Sequence, residues 1–214
     1  MIKKIHFVRH GQTTFNMLKK IQGSSDISLN EEGRKQAENV TIKKDYDLYL
    51  HSGLKRSKET LDIIINNSNI NNRDINKVLD NLIIERSYGV FEGLTEIEIN
   101  AKYPKLYTEW KKNENVLIEN AERIEDVVNR LKKFIKKIHM NSDVNIFAVT
   151  HSGFLYALYK YIKNINYGIR PDIYFSNCCS VYLELIYKNN DLTLKLYCDN
   201  GEIIEKSINI SLLD

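Results

Sequence analysis

Two arginines, two histidines and one glutamate stand directly after, or within a turn of, four apolar runs of this sequence. Arg9-His10 follows residues 5–8, Arg56 lies just beyond residues 46–50, Glu85 closes residues 82–84, and His151 follows residues 144–149. A guanidinium is a rigid fork of donors shaped for phosphate oxygens, and two of them suit a dianion. A neutral imidazole is a competent nucleophile, while a second, protonated one balances charge on the same oxygens. A carboxyl group beside them can protonate a departing alkoxide and then take a proton from water. Phosphoryl transfer asks for this kind of positioning and charge stabilisation, with arginines and an imidazolium in the place often held by magnesium. No His/Cys/Asp grouping has metal-ligand spacing, so no metal and no cofactor are expected.

The elements that must position these groups alternate strand and helix. Residues 5–8 read as a strand entering the sharp turn Arg9-His10-Gly11. Asn30 before Glu31-Glu32 reads as a helix start with acids at the positive end of its dipole. Strands are expected at 46–50, 82–84 and 144–149, and helices at 54–65 and from Ser152 to about Tyr161. Ile124, Val127, Val128, Leu131, Phe134, Ile135 and Ile138 repeat at helical spacing, with Lys132, Lys133, Lys136 and Lys137 on the solvated face. Residues 95–112 read as two short helices broken near Pro104, an excursion that covers something, with Trp110 packed inside it. The tail (181–186, 192–196, 203–208) reads as antiparallel strands. In open α/β sheets ligands sit beyond the carboxyl ends of the strands, so four segments deliver their groups to one rim.

Composition bounds the alternatives. The 214 residues are 43% hydrophobic and 28% charged, which excludes wholesale disorder. A net charge of +3, with no basic face interleaved with aromatics, gives no reason to expect nucleic acid. Cys178, Cys179 and Cys198 form no disulfide framework, and Cys178 and Cys179 are expected to be buried thiols. The opening stretch, charged early and with a short apolar run, suits neither a signal peptide nor a membrane span. A cytoplasmic setting without membrane contact is therefore expected. His6, His51 and His139 are read as structural.

Arg9-His10-Gly11-Gln12-Thr13 with Asn16 resembles the Arg-His-Gly signature of the histidine phosphatase superfamily, in its phosphoglycerate-mutase-like branch. The resemblance runs through Gln22-Gly23, Asp26, Leu29 and Glu31-Glu32-Gly33, then Ser52 to Ser57 and Thr60. It continues through Glu85 to Gly89, Phe91-Glu92-Gly93, Thr150 to Gly153 and Asn177-Cys178. It implies a three-layer α/β/α sandwich with a mostly parallel mixed sheet. Residues 1–214 would form one domain, with a small helical lid insertion at about 93–118.

It also implies roles. His10 is the nucleophile that becomes phosphorylated; Arg9, Arg56 and His151 form the phosphate pocket, with Asn16 as a further donor. Glu85 is the general acid and base. Thr13, Gln22, Gly23, Tyr88 and Ser152 lie where substrate is touched. The run from Tyr88 to Thr95 and the compact connection after it resemble phosphatase-type members, among them α-ribazole and broad-specificity phosphatases. Hydrolysis of a small phosphorylated metabolite is thus the expected activity, with a homodimer as an allowed assembly. A cofactor-dependent phosphoglycerate mutase and a non-catalytic phospho-ligand binder are the alternatives. Departures from the pattern are Gln12 for glutamate, Phe15 for tryptophan, Gly53 for proline, Ser152 for glycine, and Tyr156 where an arginine is common. The last of these bears on specificity.

Overall fold

The computed structural model describes residues 1–42, 46–68, 75, 77–142 and 145–213. Its frame is a seven-stranded sheet of β1 (Ile2–Arg9), β2 (Leu48–His51), β3 (Lys77–Leu79), β4 (Asn145–Thr150), β5 (Ser180–Lys188), β6 (Asp191–Tyr197) and β7 (Ile203–Asn209). The order is β3-β2-β4-β1-β5-β6-β7. β1, β4, β2 and β3 are parallel neighbours, whereas β5, β6 and β7 are added antiparallel, so the sheet is mixed as expected. β1 and β4 run in register to their ends, Arg9 opposite Thr150, which brings Arg9-His10 and His151 side by side.

Both faces of the sheet are covered. On one side α2 (Glu31–Glu38) and α3 (Lys55–Asn67) pack Ala37, Leu61, Ile64 and Ile65 against Val8, Tyr49, Phe147 and Val149. On the other, α6 (Ile124–Met140) and α7 (Ser152–Lys163) bury the seven apolar residues of the expected stripe together with Phe154, Leu155 and Leu158. Two helices in the excursion, α4 (Glu96–Lys102) and α5 (Pro104–Lys112), flank Pro104, which sits at the first turn where its missing N–H costs nothing. They close over a separate apolar cluster of Phe91, Ile99, Trp110 and Ile118, with Trp110 packed edge-on to Phe91 at 5.5 Å.

Local chemistry sets the helix starts. Asn30 caps α2 by accepting the Gly33 N–H at 2.8 Å. Thr95 and Glu98 form a reciprocal capping box on α4. A short helix absent from the sequence expectation, α1 (Thr14–Met17), is capped by Thr13 and Asn16. The expected strand at 82–84 is corrected. Strand β3 lies earlier, and residues Asn81–Ile83 form a 3-10 turn capped by Asp80. Side chains rather than a ladder hold this turn, with Thr150 Oγ1 donating to the Ile83 carbonyl at 2.7 Å and Arg130 to the Leu82 carbonyl at 3.0 Å. Val144, placed in the fourth strand on sequence grounds, lies outside the described residues.

Lys3 is fully buried, and its ammonium donates to the carbonyls of Ile138 (2.7 Å), His139 (3.1 Å) and Asn141. Ile138 and His139 lie in the last turn of α6 and Asn141 is its C-cap, so the ammonium sits at the negative end of the helix dipole. Replacing Lys3 with Ala leaves those acceptors buried, so Lys3→Ala should cost about 1–3 kcal/mol in urea-induced unfolding. An unchanged midpoint would show that the cap contributes nothing.

Candidate active site

His10 sits at the carboxyl end of β1, and its ring is placed by backbone groups. Nδ1 lies 2.7 Å from the Gly11 carbonyl oxygen. A carbonyl can only accept, so Nδ1 carries the proton and Nε2 of the neutral ring keeps its lone pair. The loop is fixed from three sides: Thr150 accepts the His10 N–H (3.0 Å), Thr60 Oγ1 accepts the Gly11 N–H (3.0 Å), and Asn177 Nδ2 donates to the His10 carbonyl (2.9 Å). A Cβ on Gly11 would come within 2.4 Å of the Gly33 carbonyl, so backbone-to-backbone contact seats this loop on α2.

Two buried guanidinium groups flank the ring. Arg9 donates one terminal nitrogen to the Phe175 carbonyl at 2.6 Å. Arg56, in the first turn of α3, donates to the carbonyls of Ser25 (2.6 Å) and Gly23 (2.8 Å). Neither makes an ion pair among the described residues, although a buried charge is costly unless compensated. Burial pushes the Arg56 pKa down to about 10, with the Glu85 carboxylate as the largest opposing influence. Arg9 Nε, Arg56 Nε and His151 Nδ1 are all buried without a hydrogen-bond partner.

His151 lies at the end of β4, its ring centroid 5.0 Å from that of His10. Its Nε2 is 2.6 Å from Ser52 Oγ. Burial, then Arg56, holds both imidazoles well below the usual histidine range, with Arg9 adding to the effect. In the protein alone, desolvation and two guanidinium charges favour the neutral form of the His151 ring.

Glu85 stands two residues beyond the 3-10 turn and not at a strand end. Its Oε1 accepts the Arg86 N–H at 2.9 Å, and Ser152 Oγ donates to Oε2 at 3.3 Å, so Ser152 touches the carboxyl group next to His151. Gly153 makes room for it, because a Cβ there would stand 2.3 Å from Glu85 Oε1 and 3.0 Å from Arg86 Cβ.

The other expected residues divide. Gly23 supplies a carbonyl to Arg56 from a left-handed backbone (φ +52). Thr13, Asn16 and Gln22 form their own set beside the His10 loop: Thr13 Oγ1 meets Gln22 Oε1 at 2.9 Å, and Asn16 Oδ1 accepts from Thr13. Asn16 Nδ2 takes no part in these bonds and stays a donor. Tyr88 belongs to the excursion cluster, with the Arg86 guanidinium 5.0 Å from its ring centroid. Tyr156 donates to the Ile173 carbonyl (2.8 Å) and packs on Phe175, whose carbonyl holds Arg9; this tyrosine therefore buttresses the arginine's anchor.

His6 is bonded to Tyr46 and Ser180, and His51 accepts the Gly53 N–H, both in keeping with structural roles. Cys179 is buried and Cys178 half-buried, with a thiol that burial pushes up to about 12. Sequence reasoning assigned no role to Ser52, Thr60, Glu92, Gly153 or Asn177. All but Gly153 bond through side chains across the fold, and no local pattern announces that. Among the described residues no group of three or more His, Cys, Asp or Glu side chains could hold a metal ion. No helix there is long and apolar enough to cross a membrane.

These features agree with the comparisons. Residues 5–200 match the family model of the histidine phosphatase superfamily (branch 1), and the chain belongs to that family. It is 31% identical to a 2,3-bisphosphoglycerate-dependent phosphoglycerate mutase of Buchnera aphidicola subsp. Cinara cedri, over 91% of this chain and 98% of that one. It is 28% identical to a probable 2-carboxy-D-arabinitol-1-phosphatase of Arabidopsis thaliana over 86% of this chain, but spans only 38% of that longer protein. It is also 26% identical to phosphoserine phosphatase 1 of Hydrogenobacter thermophilus over 93% and 95% of the two chains. The fold is shared with a putative alpha-ribazole-5'-P phosphatase from Escherichia coli, at a TM-score of 0.73 and 18% identity over 97% and 96% of the two chains. It is likewise shared with a phosphoserine phosphatase variant from Entamoeba histolytica solved with phosphoserine, at a TM-score of 0.69 and 19% identity over 98% of both.

The depressed histidine pKa values make a measurable prediction. Below about pH 6.5 an unfolded imidazole binds a proton that His10 and His151 refuse while folded, so the unfolded state gains protons and stability falls with acid. NMR titration should show both rings still neutral at pH 6. Replacing Arg56 with Ala should move both titrations upward, because it removes a positive neighbour. A His10 titrating at its ordinary value would contradict the electrostatics described here.

Proposed function

We propose that this chain hydrolyses small phosphomonoesters through a phosphohistidine at His10. The observation that carries the reading is the set of three buried, unpartnered nitrogens, Arg9 Nε, Arg56 Nε and His151 Nδ1, next to a neutral imidazole with Nε2 free. Buried donors without acceptors are expensive, and a tetrahedral oxyanion supplies acceptors in the number and charge required.

The steps follow from the side chains. The Nε2 lone pair of His10 attacks phosphorus while the bond to the ester oxygen breaks, and protonated Glu85 gives its proton to the departing alkoxide. The phosphorylated ring is cationic, and its Nδ1–H bond to the Gly11 carbonyl stabilises that charge. Glu85, now a carboxylate, takes a proton from water as the water oxygen attacks phosphorus. The N–P bond breaks, and phosphate leaves with Glu85 protonated again. The arginines act twice. They keep Nε2 unprotonated before substrate binds, and they offset the charge of the phosphoryl oxygens afterwards. An incoming dianion reverses the field at His151 and draws a proton onto it, giving the second imidazolium only when it is needed. Ser52 in this reading donates to Nε2 of neutral His151, and the proton sits on Nδ1, the nitrogen without a protein partner. In this reading Asn16 adds a donor to the phosphoryl group, and the 93–118 segment of a single domain roofs the substrate, with Thr13, Gln22, Gly23 and Tyr88 near its entrance.

A second reading, phosphoryl transfer between hydroxyls of a phosphoglycerate, is favoured by the Buchnera mutase as a relative. The two share the phosphohistidine and differ in the acceptor. The presence of the entire set of reactive side chains argues against a non-catalytic binder.

Purified protein should release phosphate from p-nitrophenyl phosphate in excess EDTA, and an absolute requirement for a divalent metal would sink the mechanism. His10→Ala should abolish turnover without unfolding the chain. Glu85→Gln should slow alkyl phosphates on the order of 10²-fold or more, the size of a general-acid contribution, and slow p-nitrophenyl phosphate much less, since p-nitrophenolate leaves unprotonated. Equal losses for both ester types would remove Glu85 from the role of acid. Exchange of label between phosphoglycerate positions in preference to phosphate release would favour the mutase reading.

A further inference from the structure

The Arg56 clamp depends on a loop that has no regular structure of its own. Both terminal nitrogens of Arg56 are held by carbonyls of the 23–25 loop, those of Ser25 and Gly23. That loop is tied down by one carboxylate. Glu92 Oε1 accepts the Ser24 N–H (2.9 Å) and the Ser24 hydroxyl (3.0 Å), while Oε2 accepts the hydroxyls of Ser24 (2.9 Å) and Ser25 (3.2 Å). On its other side Oε1 accepts the Tyr88 N–H (2.9 Å) and the Ser87 hydroxyl (3.2 Å), two and three residues beyond Glu85. The two backbone N–H groups can only donate, and against the opposing effect of burial the bonds from Ser24, Tyr88 and Ser87 hold the Glu92 carboxyl below its usual range. The backbone alongside is knit to the same segment, with Ile21 bonded through its N–H to Leu94 and through its carbonyl to Gly93. The fit is tight, since a Cβ at Gly23 would stand 2.0 Å from Glu92 Oε1.

We propose that Glu92 is a positioning residue for phosphate binding: through the 23–25 loop it aims the Arg56 guanidinium at the phosphoryl group, and through Ser87 and Tyr88 it keeps that clamp in register with Glu85. The inference rests on the reading of Arg56 as a phosphate ligand. Glu92 itself touches neither substrate nor the reacting atoms. It directly follows the 3-10 turn Gly89–Phe91, three residues before the cap of α4 at Thr95, so the excursion and the phosphate clamp share one anchor. Without the carboxylate, the carbonyls of Gly23 and Ser25 would no longer converge on Arg56, and the guanidinium would have to be ordered by the ligand at the expense of affinity.

The test is calorimetric binding of inorganic phosphate and of vanadate to the full chain and to Glu92→Ala, Glu92→Gln, Arg56→Ala and the Arg56→Ala/Glu92→Ala pair. Glu92→Ala should weaken oxyanion binding about tenfold, and Glu92→Gln, which keeps one acceptor oxygen, about threefold. KM for p-nitrophenyl phosphate should rise in step, and kcat should fall less. In the Arg56→Ala background the second substitution should change affinity by less than about twofold, because the two act through one element. Losses that multiply, or a Glu92→Ala protein that melts earlier yet binds as tightly as the parent, would overturn the proposal and leave Glu92 a purely structural residue. If Arg56→Ala binds as well as the parent, the reading of Arg56 fails first and carries this inference with it. If Glu92→Ala does not fold, Glu92→Gln decides: unchanged affinity overturns the proposal and a threefold loss supports it.

Discussion

The bond from His10 Nδ1 to the Gly11 carbonyl is the constraint from which the site's chemistry follows. It orients the ring and specifies the tautomer, so the nitrogen left with a lone pair is Nε2. Much of the surrounding structure keeps that bond in place. Thr60 on α3 holds the Gly11 N–H, Asn177 and Thr150 hold the backbone of His10, and Gly33 on α2 meets Gly11 at a distance no side chain would permit. Elements from both halves of the chain therefore support one imidazole.

The second governing fact is electrostatic. Arg9 and Arg56 are buried, yet carbonyl oxygens hold their terminal nitrogens where carboxylates would usually stand. Carbonyls satisfy hydrogen bonds without cancelling charge. Lys160, another buried cation, instead meets Glu114, which also lies 3.9 Å from Arg86, while Lys3 meets carbonyls at the end of α6, far from His10 in sequence. At Arg9 and Arg56 the uncancelled charge stands beside His10, where it lowers the pKa of the ring. Folding bears a desolvation cost of several kcal/mol per ion at such a site, which the oxyanion of the proposed function would offset. Burial, and then the same uncompensated charge, lowers the pKa of both histidines, so in the proposed function oxyanion recognition and nucleophile activation share a cause.

Mutase and phosphatase relatives both align with this chain. Above the pocket this chain has its own apolar cluster, around Phe91, Ile99, Trp110 and Ile118, independent of the two cores that hold the sheet. The wall beside Arg9 is likewise particular. Tyr156, standing where an arginine is common, adds no charge and instead braces the segment that anchors Arg9.

Much of this was legible before any coordinates. Apolar runs ending in Arg9-His10, Arg56 and His151 placed those groups at one rim because strand ends in a parallel sheet share a side, and Asn30 and Pro104 marked helix starts through backbone chemistry that acts within one turn. Residues 82–84 misled for a physical reason: three apolar residues look alike in a strand and in a buried turn, and only partners distant in sequence, Thr150 and Arg130, distinguish the two. Ser52, Glu92 and Asn177 carried no readable role because their bonds reach across the fold. Residue types, their order and their local caps were thus determined by the sequence alone. The tautomer of His10, the neutrality of His151 and the unpaired state of the buried guanidinium nitrogens were decided by the tertiary structure, since each depends on desolvation and on neighbours that only folding brings within a few ångströms.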